Sequence, residues 1–188
     1  MTPLTDSALR QAFDILCQTT TDISDFEWVS FQDGRQLYTR TFSVEQAAKL
    51  EIIGITGDGS SIACWHEPGC VAPSLPVVWI GSEGIASVFA DSFADFLSLL
   101  PYGTGYIDDI LFNYHLERSS PGRYATDFTQ ASAHGALAAN AEEHTDHFAY
   151  VEWLTHTAEL SIASDPITVI DHARQMHSNF EQWMELVN

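Results

Sequence analysis

Basic residues are scarce in this chain. Of 188 residues only seven are Lys or Arg, against 26 Asp and Glu, for a formal net charge of −19. A surface of that sign repels nucleic acid, whose recognition needs phosphate-neutralising cations, and it repels anionic lipid. Cysteine is also sparse. Cys17, Cys64 and Cys70 are odd in number and form no Cys-x-x-Cys pair, so neither a disulfide framework nor a zinc ribbon is expected. No apolar run approaches the ~18 residues of a membrane helix. The opening Met1 to Arg10 lacks the basic-then-apolar order of a secretory leader, and reducing cytoplasm is the expected setting. Catalytic signatures are missing too. There is no Gly-x-Ser-x-Gly elbow, and Gly54-Ile-Thr-Gly57-Asp-Gly59 lacks the lysine and following helix of a phosphate loop. Adjacent acids such as Asp108-Asp109 and Glu142-Glu143 diverge on a helix. No active site and no cofactor are expected.

What is abundant is material for a core: 45% apolar residues, with five tryptophans and eleven phenylalanines, far too much for a disordered polymer. Asp6 reads as the cap of a first helix carrying Leu9, Phe13, Leu16 and Cys17 on one face. The period then switches towards two. Phe26 to Phe31 and Leu37 to Phe42 flank an Asp33-Gly34 turn, a hairpin signal. Ser43-Val-Glu-Gln46 has the pattern of a capping box and opens a short helix to about Leu50. Strands follow at Glu51 to Thr56, Ser61 to Trp65, Val77 to Ile80 and Ile85 to Phe89, divided by turns at Gly57-Asp58-Gly59-Ser60 and Ser82-Glu83-Gly84. Asp91 and Ser92 then open a helix bearing Phe93, Phe96, Leu97 and Leu100, closed by Pro101 and Gly103.

Beyond this, Tyr106 to Tyr114 is amphipathic, and Glu117 to Ser132 reads as a loop. One helix is expected from about Leu137 to Leu160, and another from Pro166, capped by Asp165, with a seam running from Ile170 to Val187. The fold class is therefore α+β: an antiparallel sheet of successive hairpins with helices packed on one face, plus a C-terminal helical pair. Residues 1–130 form the α+β domain, and residues 131–188 a helical extension packed on it.

Five of the eight histidines fall after residue 143, and His144-x-x-His147 places two imidazoles at helical spacing beside Glu143 and Asp146. They are weak candidate metal ligands without an identifiable third partner, and surface histidines on an acidic helical hairpin explain the pattern more simply. His177, on the seam, reads as a packed core histidine. Trp65 and Trp79 read either as core residues of the sheet or as anchors of an exposed face beside acidic turns. Such an acidic chain attracts a basic partner. The candidate contacts are Asp58, Trp65, Glu67, Glu83, Asp91 and Asp95.

The run from Leu50 to Leu100 resembles the SUKH superfamily, shared by fungal cell-wall-assembly regulators and many bacterial immunity proteins. The resemblance lies in the order of Glu51-Ile-Ile-Gly-Ile-Thr56, the turn at Asp58, Ile62-Ala-Cys-Trp65, Pro76-Val-Val-Trp-Ile-Gly-Ser-Glu-Gly84 and Ala90-Asp-Ser-Phe-Ala-Asp-Phe-Leu97. The family's usual proline-led N-terminal helix and Asn-Gly-Gly turn have no counterpart here. The resemblance implies a binding domain without catalytic residues, often a cytoplasmic antidote to a toxin, frequently a nuclease. The expectation is an immunity protein that neutralises a cognate toxin through an acidic surface. The alternatives are a regulatory or scaffolding domain, or a small metal-dependent hydrolase using His144 and His147.

Overall fold

The computed structural model of the chain describes residues 5–29, 44–67, 74–82, 85–119 and 128–186. Five antiparallel strands form one meandering sheet in the order of the sequence: β1 (Phe26–Trp28), β2 (Leu50–Thr56), β3 (Ser61–Trp65), β4 (Val77–Ile80) and β5 (Ala86–Ala90). The helices are α1 (Asp6–Leu16), α2 (Val44–Ala47), α3 (Phe93–Leu99), α4 (Thr104–Ser119), α5 (Gln130–Glu143), α6 (His147–His156), α7 (Pro166–Met176) and α8 (Phe180–Leu186). The expected α+β class and C-terminal helical pair are both present. The Asp33-Gly34 hairpin and its second strand lie outside the described residues.

Every side chain of β3 and β4 is buried. Because successive residues of a strand point to opposite faces, both faces of the sheet must be covered. On the first face Ile53, Ile62, Val77, Trp79 and Phe89 meet Phe13 of α1, Phe93 and Phe96 of α3, and Tyr150 and Leu154 of α6. Phe13 is the hub, packing edge-on to Trp28 with centroids 4.7 Å apart. The second face presents Ile52, Ala63, Trp65, Val78, Ile80 and Val88, and α7 and α8 cover it with Ala173 and Phe180. Helix α7 straddles the β5 edge: its Ile170 joins the first core and its Ala173 the second.

Several boundaries differ from the sequence reading, each for an identifiable reason. Helix α1 is capped by Thr5, whose hydroxyl accepts from Ala8 N–H. Asp6 instead reaches forward to Arg10 at 3.1 Å, and Arg10 bridges on to Glu51 of β2 at 3.2 Å. Helix α2 stops at Ala47, and Leu50 begins β2, where it pairs with Trp65. Helix α4 extends to Ser119, and α5 already starts at Gln130, where Thr129 and Ser132 form a reciprocal capping box. The helix expected from Leu137 to Leu160 breaks at His144–Asp146. There Asp22 takes the Thr145 N–H and hydroxyl, each at 2.8 Å, while Asp146 accepts from Thr21 and Asp22 N–H. The seam from Ile170 to Val187 likewise breaks, at His177, and resumes at Phe180.

Gly54 of β2 faces the ring of Phe26 so closely that a Cβ there would fall inside the ring, beside the register shift between Ile52 and Gly54. Gly54→Ala is therefore expected to destabilise the fold by about 1–3 kcal/mol, read as a lowered urea midpoint with unchanged slope. A midpoint equal to the parent's would mean that β1 is not seated on β2 as described.

Candidate functional site

Most of the acids singled out in the sequence hold the fold together. Asp58 closes the β2–β3 turn, accepting from the Thr56 hydroxyl, from Ser60 N–H at 3.1 Å and hydroxyl at 2.7 Å, and from the Ser82 hydroxyl at 3.4 Å. Partial burial opposes its ionisation, but these donors outweigh it and hold the carboxyl below its ordinary value. Glu67 and Asp91 converge on His177 from two loops: Asp91 Oδ1 lies 2.7 Å from Nε2 and Glu67 Oε2 lies 3.3 Å from Nδ1. Glu67 also accepts from Asn179 at 2.8 Å. Asp95 closes the N-terminus of α3 with Ser92, whose hydroxyl donates to it at 2.8 Å. Glu83 lies outside the described residues.

Trp65 requires a correction. Its side chain is 0% exposed and packs against Phe180 with centroids 4.9 Å apart and Trp183 at 5.4 Å, so it has no surface to offer a partner. Trp79 is buried on the opposite face.

The paired histidines also part company. His144 ends α5 and turns Nδ1 to Asp22 at 2.8 Å, whereas His147 begins α6, buried, with Nδ1 3.1 Å from Asn140 Nδ2. Burial, with His144 adding to it, holds the His147 pKa below its ordinary value. The helix break removes the shared face that helical spacing suggested, and among the described residues no group of three or more His, Cys, Asp and Glu is placed to hold a metal ion.

The acids left without partners lie elsewhere. A groove of about 510 Å³ runs beside β1, lined among others by Asp22, Asp25, Glu27, Trp28, Gly57 and His144. Alternation along the chain sets its character: Phe26 points into the core, while Asp25 and Glu27 point outward. The carboxylate of Asp25 lies over Gly57, filling the space a Cβ would need. The side chains of Asp25 and Glu27 are exposed and form no hydrogen bond or ion pair with the described residues. Asp22 stays ionised most firmly: hydrogen bonds from His144 and from the Thr145 backbone and hydroxyl lower its pKa from 3.8 to about 2. Cys17 also lines the groove, but burial, reinforced by Asp14, pushes its thiol up to about 12, leaving no thiolate for nucleophilic chemistry. The groove is thus three carboxylates around a partly apolar floor, suited to receiving cationic side chains. Sequence reasoning passed over Asp25 and Glu27, although the Asp25-Phe26-Glu27-Trp28 alternation pointed to them.

Compared with protein-family models, curated proteins and solved structures, the chain finds no match. Among the described residues no helix is long and apolar enough to cross a membrane.

Asp22→Asn should lower the urea midpoint at neutral pH by loosening the corner at His144 and Thr145. A carboxyl with a depressed folded pKa stabilises above its unfolded value, and that contribution is lost as pH falls through the folded value. The gap between parent and variant should therefore close from 3.8 towards about pH 2. Midpoints measured across that range check the assignment; a gap independent of pH would refute it.

Proposed function

We propose that this protein is a cytoplasmic immunity protein that binds a basic protein toxin and holds it inactive. The observation that carries this reading is the groove beside β1, where Asp25 and Glu27 stand exposed and unpartnered on a chain of net charge −19. A field of that size draws a cationic surface in from a distance, and a groove lined with carboxylates orients it on arrival. Thr20 and Ser24, which flank the groove, are buried, and Ser24 Oγ accepts from Thr104 N–H at 3.0 Å, so the acids stand on a fixed base. A preorganised surface of this kind loses little freedom when it binds. Toxin neutralisation is the finer step, and it draws on the likeness of residues 50–100 to the SUKH superfamily. Nuclease toxins are basic where they hold phosphate, and an acidic antidote can occupy that surface.

The partner to test is the product of the adjacent reading frame, if it encodes a secreted toxin. Binding should restore growth of cells expressing that toxin, and association should slow with added salt. Asp25→Lys with Glu27→Lys should reduce the association rate by about tenfold at low ionic strength, with stability little changed because both side chains are exposed. Rapid-mixing kinetics of parent and variant decide the point. Equal rates would move the interface away from the groove, and absence of any complex would remove the toxin reading.

A further inference from the structure

Arg10, Lys49, Arg118 and Arg174 are the described Lys and Arg residues, and two of these four meet at one cavity. The cavity, of about 360 Å³, lies where β5, the end of α4, α7 and α8 come together. Arg174 rises from α7 with its guanidinium 4.1 Å from the centroid of the Tyr114 ring. That stacking fixes the plane of the guanidinium but uses none of its N–H donors. Its Nε is buried without a hydrogen-bond partner, and the carboxylate nearest it, on Glu181, stands 3.9 Å from Nη2, beyond hydrogen-bond reach. Arg118, at the end of α4, pairs with Glu181 Oε2. Asp171, the second acid of the cavity, is an electrostatic neighbour of both Tyr114 and Arg174. Ser87, Gln175 and Ser178 add neutral polar groups, and Ser87 Oγ is 3.5 Å from Glu181 Oε1.

A buried guanidinium Nε–H without a partner is a costly arrangement unless an acceptor completes it. Two guanidinium groups and neutral hydroxyls around a cavity form the donor set that recognises carboxylate and phosphate oxygens. We propose that this cavity binds a small oxyanion, a phosphate monoester or a carboxylate, between Arg118 and Arg174, with Glu181 as the internal carboxylate that it displaces. The volume lies within the range of small-molecule sites. The field of the chain opposes any anion, so occupancy depends on both arginines acting together, and losing either one weakens the site.

The full chain is titrated at low ionic strength with inorganic phosphate and, separately, with succinate, while the Arg174 Nε–Hε and the Ser87 and Ser178 amide resonances are followed by NMR. Saturable shifts of these three signals are expected with at least one probe. Saturation by phosphate alone assigns a phosphate monoester, and saturation by succinate alone a carboxylate. Glu181→Gln should tighten the apparent dissociation constant by roughly tenfold, because the internal competitor loses its charge. Arg174→Gln, and the more exposed Arg118→Gln as a variant whose folding is secure, should each weaken it by roughly tenfold or more. Non-saturating shifts with both probes, titration of Arg118→Gln indistinguishable from the parent, or an unchanged constant in Glu181→Gln would each overturn the proposal.

Discussion

A sheet whose central strands are buried on both faces cannot stand alone in water, and that constraint organises the whole chain. β3 and β4 leave no side chain exposed, so Trp79 and Trp65, on opposite faces, each need a separate cover. Fully burying one large apolar side chain contributes about 1.5–3 kcal/mol, and each face carries several. Helix α1, ahead of the strands, and helices α3 to α6, after them, take the first face. The second face falls to the C-terminal helices, and α8 is fastened there by Phe180 against Trp65 and by Gln46, whose side-chain N–H donates to the Met184 carbonyl at 3.1 Å. The C-terminal helices are therefore structural partners of the sheet, sharing both of its cores.

Two-sided covering explains why long helices are broken where they are. The chain must leave the first face after α6, pass the β5 edge along α7 and turn onto the second face. Each corner is held by carboxylates distant in sequence. Asp22 fixes the break at Thr145, and Glu67 with Asp91 fixes the break at His177. Both ring nitrogens of His177 face carboxylate oxygens, Nδ1 towards Glu67 and Nε2 towards Asp91, so this one side chain ties two loops to the corner. Much of the acidity that looked like surface charge is in fact joinery, satisfying backbone and side-chain donors at bends.

This accounts for what was legible in the sequence. β2 to β5 were readable because their apolar runs are short and are separated by an Asp-Gly turn, a proline-bearing stretch and a Ser-Glu-Gly turn, all local signals. Helix α3 was readable from Phe93, Phe96 and Leu97, with Ser92 as its cap. The breaks at His144 and His177 were not, because periodicity continues through them and the groups that cause them lie more than eighty residues away. Helix α5 was hidden for the opposite reason: Gln130 to Gly135 is small and polar, with a hydroxyl capping box but no apolar stripe. Among the site residues, charge was read correctly as the leading property, but its distribution was not. Whether an Asp is a cap, a tether or a free charge depends on which donors the fold brings to it. Asp58, Glu67, Asp91 and Asp95 gained donors, and Asp25 and Glu27 did not.

The same distinction governs how the molecule meets others. Net charge sets the long-range field, but specificity arises only where charges are both exposed and unmatched inside the fold. At β1 an outward-facing Asp25 and Glu27 leave negative potential for an incoming cation. At β5 the sign is reversed: Arg174 is stacked with its Nε–H buried and unpartnered, and the Glu181 carboxylate beside it is held by Arg118 instead. These unmatched groups lie at opposite edges of the sheet, β1 and β5, the strands with one neighbour each in the described order. The interior strands have both flanks and both faces committed, so only the margins of the sheet can hold a charge that the fold does not itself answer. The architecture that buries the centre thereby leaves unanswered charge only at its edges.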